Sequence, residues 1–257
     1  MYSEFLCKRP FKGMEELRDN YIGLKLRQLK GKRKGIILTI TGASAAGKDS
    51  LVDALLYLNN IVGLSNCKSV ANLVKGIVSK NNEITIRELI SHTTRAPRDG
   101  EVNHVDYHFI SREEFDNLDK VESTEYAGNY YCLSADELRK ILDIGVVIVD
   151  KNGVKCIHDY VEKHSDEYIH LSVFLRTDEE HSRERMIARG DKSESIEKRL
   201  KQQKERNEYS PEGFDFSIVL DSNNEADMLY NALYIQEMLD FVHMIAYQAD
   251  RKGYSVG

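Results

Sequence analysis

The chain has 257 residues, 41% hydrophobic and 30% charged, with a formal net charge of −6. That length allows one large α/β domain with a sizeable core. The negative balance argues against a dedicated nucleic-acid binder, which gains affinity by neutralising phosphates. No apolar run approaches the roughly 20 residues that span a bilayer, and MYSEFLCKRPFKG lacks the apolar segment of a signal peptide. The four scattered cysteines form no CxxC pair, so neither zinc nor a disulfide framework is indicated. These features predict a cytoplasmic protein with no membrane or nucleic-acid partner.

Residues 1–34 form a mixed extension, basic near its end in LRQLKGKRKG. Within it, Leu17, Ile22, Leu24 and Leu29 give some helical periodicity, which predicts a solvated helix or tail. GIILTI follows, a short apolar, β-branched run of the kind that makes a buried strand. Next come the glycine loop GASAAGK and the helical pattern DSLVDALLYL. Residues 59–90 fit least well, with one helix and a short β-like piece, ITI. Three further buried strands are predicted at Val146–Asp150, His170–Arg176 and Phe216–Asp221. Between them lie the helical stretches GVKCIHDYVEKH, DEEHSRERMIARG and SIEKRLKQQKERNEY, and a long amphipathic segment closes the chain. Alternation of this kind predicts an α/β fold, a parallel sheet flanked by helices.

The unit strand–GxxxxGK–helix, Thr39 to Leu51, has a physical rationale. Gly42 and Gly47 let the backbone fold tightly, so that the N–H groups of Gly42, Ala43, Ser44, Ala45, Ala46 and Gly47 turn into one concavity. The following helix adds the positive end of its dipole. Lys48 then reaches the β- and γ-phosphates of a nucleotide. The usual next residue is a Ser or Thr that binds Mg²⁺; here it is Asp49, with Ser50 one later. A carboxylate is itself a hard oxygen ligand for Mg²⁺. It also sets a negative charge beside polyphosphate, at a cost of a few kcal/mol where solvation is poor. Both readings of Asp49 stay open.

A second signature is SHTTRAPRDGEVNHVDYHFISREEF, Ser91–Phe115. Arg95 and Arg98 stand three apart with Pro97 stiffening the backbone between them, and Glu101, Asp106 and Tyr107 follow. Two guanidinium forks and a phenol can surround one phosphate with charge-assisted bonds. Further on, Arg185 and Arg189 share one helix face. Phosphoryl transfer asks for such positive charge around a spread-out transition state, and one arginine there supplies roughly 10³–10⁵ in rate, or about 4–7 kcal/mol.

These stretches resemble the guanylate kinase family. Ser91–Phe115 resembles its monophosphate-binding pattern S-x-TTR-x-PR-x-GE-x-x-x-x-DY-x-F. GNYYCLS resembles GNYYG[ST], VVIVDKNGVK resembles VILDID-x-QG, RERMIARGDKSESIEKRL resembles the family lid, and FDFSIVLD resembles FD-x-x-I-V-N-D. The motifs run in order across about residues 36–235. The GKDS loop is also similar to that of ribose 1,5-bisphosphate phosphokinases.

The resemblance implies a P-loop NTPase three-layer fold over 35–250, with a monophosphate-binding subdomain at about 91–142 and a lid at about 178–212. It implies that Ser91, Arg95, Arg98, Glu101, Tyr107 and Tyr131 hold or shape the acceptor phosphate site. Glu122, counted back from GNYY without a gap, matches the glutamate that accepts from a guanine edge; Glu125 is the other candidate. Asp150 ends the strand where the family keeps functional aspartates. Arg185, Arg189 and Arg199 match lid arginines that act with Lys48 on the transferred group. The loop from Gly42 to Ser50 then holds ATP, with Asp49 on Mg²⁺.

Three departures stand out: Asp49, Cys132–Leu133 in place of Gly and a hydroxyl residue, and Leu220 in place of asparagine. The hydroxyl missing at Leu133 is one the family uses to read guanine, and Ser134 is a candidate substitute if the turn shifts. The stretches 1–34 and 59–90 lack a counterpart in short family members. Three functions follow: an ATP- and Mg²⁺-dependent kinase of GMP or dGMP, the same transfer to another nucleotide or a sugar phosphate, or a binding module without catalysis.

Overall fold

The computed structural model describes residues 35–59 and 85–239, apart from 127, 165, 166, 215, 225, 226, 229 and 237. The helix expected within 1–34, most of the 59–90 stretch and the end of the C-terminal segment lie outside the described residues. In chain order, β1 (Gly35–Gly42) leads into α1 (Lys48–Asn59), and β2 (Ile86–Glu88) resumes the described chain. Then come β3 (His92–Thr93), β4 (His108–Phe109), α2 (Arg112–Asn117), β5 (Lys120–Tyr126), β6 (Asn129–Ser134) and α3 (Ala135–Arg139). The last group is β7 (Ile144–Ile148), α4 (Lys151–Lys163), β8 (Tyr168–Arg176), α5 (Glu179–Ala188), α6 (Ser193–Glu205) and β9 (Ile218–Asp221), with helical residues again within 227–239.

Five strands form one sheet in the order β2-β7-β1-β8-β9, and every pair in it is parallel. β1 is central because both of its faces are apolar. Ile36, Leu38 and Ile40 meet α1 through Leu51, Leu55 and Leu58, whereas Ile37 turns to the opposite core with Val147 and with Val154, Ile157 and Val161 of α4. Each such side chain stabilises the fold by about 1.5–3 kcal/mol on burial. The result is three layers, helix–sheet–helix. The four apolar runs of the sequence fall on β1, β7, β8 and β9, with two corrections: β7 runs from Ile144 to Ile148, so that Asp150 caps the next helix instead of ending the strand, and β9 begins at Ile218. The fifth strand, β2, overlaps the ITI piece only at Ile86 and pairs with β7 through Ile86, Arg87 and Glu88.

A second, four-stranded sheet has the order β4-β3-β6-β5. The apolar patterning did not signal it, since β3 and β4 have two residues each. Local chemistry still marks its edges. Ser111 caps α2 by accepting from Glu114 N–H, while the Glu114 carboxylate accepts from Ser111 N–H. A cap of this kind stabilises by about 1 kcal/mol.

In the main sheet β1 lies between β7 and β8: the chain passes from β1 to β2 at one edge, returns to β7, and then crosses to β8 and β9 on the other side. A crevice opens at the carboxyl ends of strands at such a reversal, and ligands bind there in open α/β sheets.

Candidate phosphoryl-transfer site

The loop after β1 sits at that crevice. Gly42 adopts φ 146° and Gly47 φ 89°, and Ala45 is also left-handed at φ 61°. Glycine is required at Gly42 for a second reason: an added Cβ would lie 2.4 Å from the Leu175 carbonyl oxygen. The Lys48 ammonium donates to the carbonyl oxygens of Gly42 and Ala43, both at 2.8 Å. It is thereby curled into the loop's own concavity. Burial lowers its pKa, Arg189 acts in the same direction, and Asp49 and Glu208 oppose them.

One cavity of about 410 Å³ occupies the crevice. From the loop side it is lined by Gly42, Ser44, Ala45, Lys48 and Asp49. From the second sheet and its approach come Ser91, Arg95, Arg98, Tyr107, Glu122 and Tyr131, and Asp150 closes the floor. Arg189 and Arg199 come from the α5–α6 side. The remaining loop residues lie outside the lining: Ala43 and Ala46 are buried in the core, Gly47 is half-buried, and Ser50 is exposed.

On the second-sheet side, Arg95 is held in one plane. Its two terminal nitrogens donate to Glu101 at 2.6 and 2.7 Å, and the guanidinium lies 5.1 Å from the Tyr107 ring centre. Glu101 also accepts from the Arg98 N–H at 2.7 Å, which fixes the turn carrying the second arginine. Held chiefly by Arg95, Glu101 has its pKa lowered to about 2. Glu101 does not line the cavity; it positions the group that does. Arg95 Nε is buried with no hydrogen-bond partner among the described residues, a donor still to be satisfied.

Glu122 is buried, and burial, then the neighbouring Asp150, raises its pKa to about 7. Glu125 is exposed and outside the cavity, so of the two glutamates Glu122 is the one placed there. Asp150 caps α4, accepting from Gly153 N–H at 2.8 Å. On the opposite wall, Asp191 binds both Arg189 at 2.6 Å and Arg199 at 3.0 Å. Arg185 is not a lining residue; its guanidinium donates to the Ala45 carbonyl at 3.0 Å, bracing the loop from α5.

Sequence reasoning missed seven lining residues with ionic or polar chemistry: Thr41, Thr124, Lys151, Gln202, Gln203, Arg206 and Glu208. Arg206 stands seven residues after Arg199, on the same helical face as Gln202 and Gln203, so its spacing was available as a signal. Lys151 donates to the carbonyls of Asn207 and Ser210, tying the start of α4 to the segment after α6. Neither Leu133 nor its suggested substitute reaches the cavity. Leu133 is fully buried in the core beside α4, and Ser134 is buried as the cap of α3, accepting from Glu137 N–H. The turn does not shift because that cap needs Ser134 where it is. Leu220 is part-buried on β9 against the main core, opposite Leu175.

Seven cationic side chains line the cavity: Lys48, Arg95, Arg98, Lys151, Arg189, Arg199 and Arg206. Four carboxylates face them: Asp49, Glu122, Asp150 and Glu208. A surplus of cations around a glycine loop at a switch point suits anions on both sides of the crevice. With this fold, it defines a P-loop phosphotransferase. The family model for guanylate kinase matches residues 61–237, beginning inside the stretch for which no counterpart was expected. The guanylate kinase of Neisseria meningitidis serogroup A is 32% identical over 203 residues, covering 76% of this chain and 84% of that one. That of Aliivibrio fischeri is 30% identical over 215 residues, covering 80% and 90%, and that of Histophilus somni 31% over 222, covering 82% and 88%. The chain belongs to the guanylate kinase family.

Proposed function

We propose that this protein transfers the γ-phosphoryl group of ATP to GMP or dGMP. The observation that carries the reading is the shared cavity, with Lys48 on one wall and Arg95 and Arg98 on another. The glycine loop and Lys48 hold the donor phosphates. Ser91, Arg95, Arg98, Tyr107 and Tyr131 hold the acceptor phosphate, with Glu101 fixing the arginines. Glu122 accepts from the N–H donors of the base edge, beside Asp150. An acceptor phosphate oxygen attacks the γ-phosphorus, and the bond to the ADP oxygen breaks. Arg189 and Arg199 exchange Asp191 for the spread charge of that transition state, while Arg185 braces the loop.

The residues present also fit a divalent cation with the donor. Asp49 is a hard oxygen ligand exposed at the cavity wall, directly after the lysine. Bound Mg²⁺ would supply charge neutralisation between the donor phosphates. Residues 91–142 act as the acceptor subdomain and 178–212 as the lid, whose closure excludes water and suppresses ATP hydrolysis. Among the described residues no helix is long and apolar enough to cross a membrane.

Lys48→Ala tests the assignment. Removing a fixed charge at the transferring group costs roughly 10²–10³ in kcat, whereas its partners, two loop carbonyls, ask little of the fold. A coupled ADP-release assay showing wild-type rate in that variant would refute the reading. Leu133, buried and without a hydrogen-bonding group, favours one second reading, the same transfer to a different acceptor. A panel of acceptors decides it: turnover confined to GMP and dGMP excludes this alternative.

A further inference from the structure

We infer that the hydroxyl of Thr124 reads the carbonyl oxygen of the acceptor base. This makes Thr124 a specificity-determining residue on a different strand from Leu133. The inference rests on the GMP-kinase reading and deepens it.

β5 places Glu122 and Thr124 two residues apart, and both line the cavity. Across the sheet they pair with Leu133 and Tyr131 respectively. The guanine edge presents an N1–H and a 2-amino donor beside its O6 acceptor. The Glu122 carboxylate suits the two donors, which leaves O6 needing a donor of its own. Leu133 is carbon to its tip and buried in the core, and the Ser134 hydroxyl is engaged at a helix cap. The Tyr131 ring stands edge-on to Tyr107, 6.0 Å between ring centres, on the side held by Arg95. Thr124 is the neutral hydroxyl beside Glu122.

The Thr124 hydroxyl now donates to Asp150 Oδ2 at 3.3 Å, a long contact. Asp150 keeps its cap bond to Gly153 N–H through the other oxygen, so the hydroxyl is free to rotate onto a ligand. A 6-aminopurine has neither the N1–H nor the 2-amino donor that the Glu122 carboxylate accepts, and it has no carbonyl oxygen for the Thr124 hydroxyl to donate to. Thr124 and Glu122 thus form a matched pair, one donor and one acceptor, for a 6-oxo-purine.

The test compares wild type, Thr124→Val and Thr124→Ser. The acceptors are GMP and the monophosphate of 2-aminopurine riboside, which keeps the 2-amino group and lacks the 6-oxo group together with the N1–H. Thr124→Val is expected to raise KM for GMP roughly 10- to 100-fold, the effect of one unsatisfied polar group. It should leave KM for ATP and for the 2-aminopurine nucleotide unchanged, and Thr124→Ser should restore the wild-type KM for GMP. Unchanged KM for GMP in Thr124→Val overturns the inference. So does an equal loss on both acceptors, which would mark Thr124 as a support for Asp150 only. Wild type that turns over other acceptors but not GMP overturns the kinase reading itself, and the Thr124 inference with it.

Discussion

Glu122 is an acid in an environment that resists its charge. Its carboxyl is buried next to Asp150 and titrates at about 7. A raised folded-state value means the folded protein binds this proton more tightly than the unfolded chain. The stability gained is complete below the ordinary carboxylate range and disappears as pH rises through about 7. Glu122→Gln should therefore raise the melting temperature at about pH 8 and leave it nearly unchanged at about pH 5. Base reading runs the other way, because only the ionised carboxylate accepts two N–H donors. KM for GMP should fall as pH rises through about 7, and the slope should vanish in Glu122→Gln. Arg95 poses a different demand, since it makes a bidentate fork with Glu101. Arg95→Lys keeps the charge and loses the fork. Its KM for the acceptor should rise roughly 10- to 100-fold, with kcat changing less.

Helix α5 carries two kinds of arginine. Arg183 is more than a third exposed and pairs with Glu179 and Glu197 on the surface. Arg189 caps the same helix at its carboxyl end and reaches the cavity. An exposed helical pair is worth about 0.3–0.5 kcal/mol, whereas a transition-state arginine is worth roughly 10³–10⁵ in rate. Arg183→Ala should leave kcat unchanged, and Arg189→Ala should reduce it by at least about 10³ with the melting temperature hardly moved. Steady-state kinetics and calorimetry on the two variants separate these outcomes.

Elements differed in how plainly the sequence announced them. β1, β7 and β8 are largely buried on both faces, so they read as mainly apolar runs, broken only by Thr39 and Thr41 in β1 and by His170 and Ser172 in β8. The second sheet is built from brief strands whose partners are far along the chain, as with Thr93 and Tyr131. No local periodicity encodes such pairings. Site residues divide in the same way. The glycine loop and the two arginines of Ser91–Phe115 are contiguous signatures that follow from phosphate chemistry. Thr124, Lys151 and Glu208 reach the cavity only through tertiary placement, and nothing in their neighbours marks them.

For the molecule as a whole, the proposed function has three walls bring two phosphorylated ligands together, so each ligand should stabilise the fold by linkage. At about 100 times its dissociation constant a ligand contributes about 2.7 kcal/mol, which for a chain of this size raises the melting temperature by roughly 5–10 °C. GMP and a non-hydrolysable ATP analogue should each produce such a shift in a thermal melt. Lys48→Ala should abolish the second and keep the first. Loss of both in that variant would show that Lys48 supports the fold rather than the donor.

Gly42 has room for a hydrogen and nothing more against Leu175. β1 and β8 are locked in register there, Gly42 opposite Leu175, so the loop inherits the position of the sheet. Under the proposed function it serves as the anvil of the machine: the travel predicted is that of the Arg98 turn and of α5–α6, each toward a stationary Lys48. Paired spin labels should record this as one distance that stays constant, Asp53 to Arg176, and two that shorten when both nucleotides are present, Asp53 to Asp99 and Asp53 to Lys192, with Asp53 exposed on α1 outside the cavity.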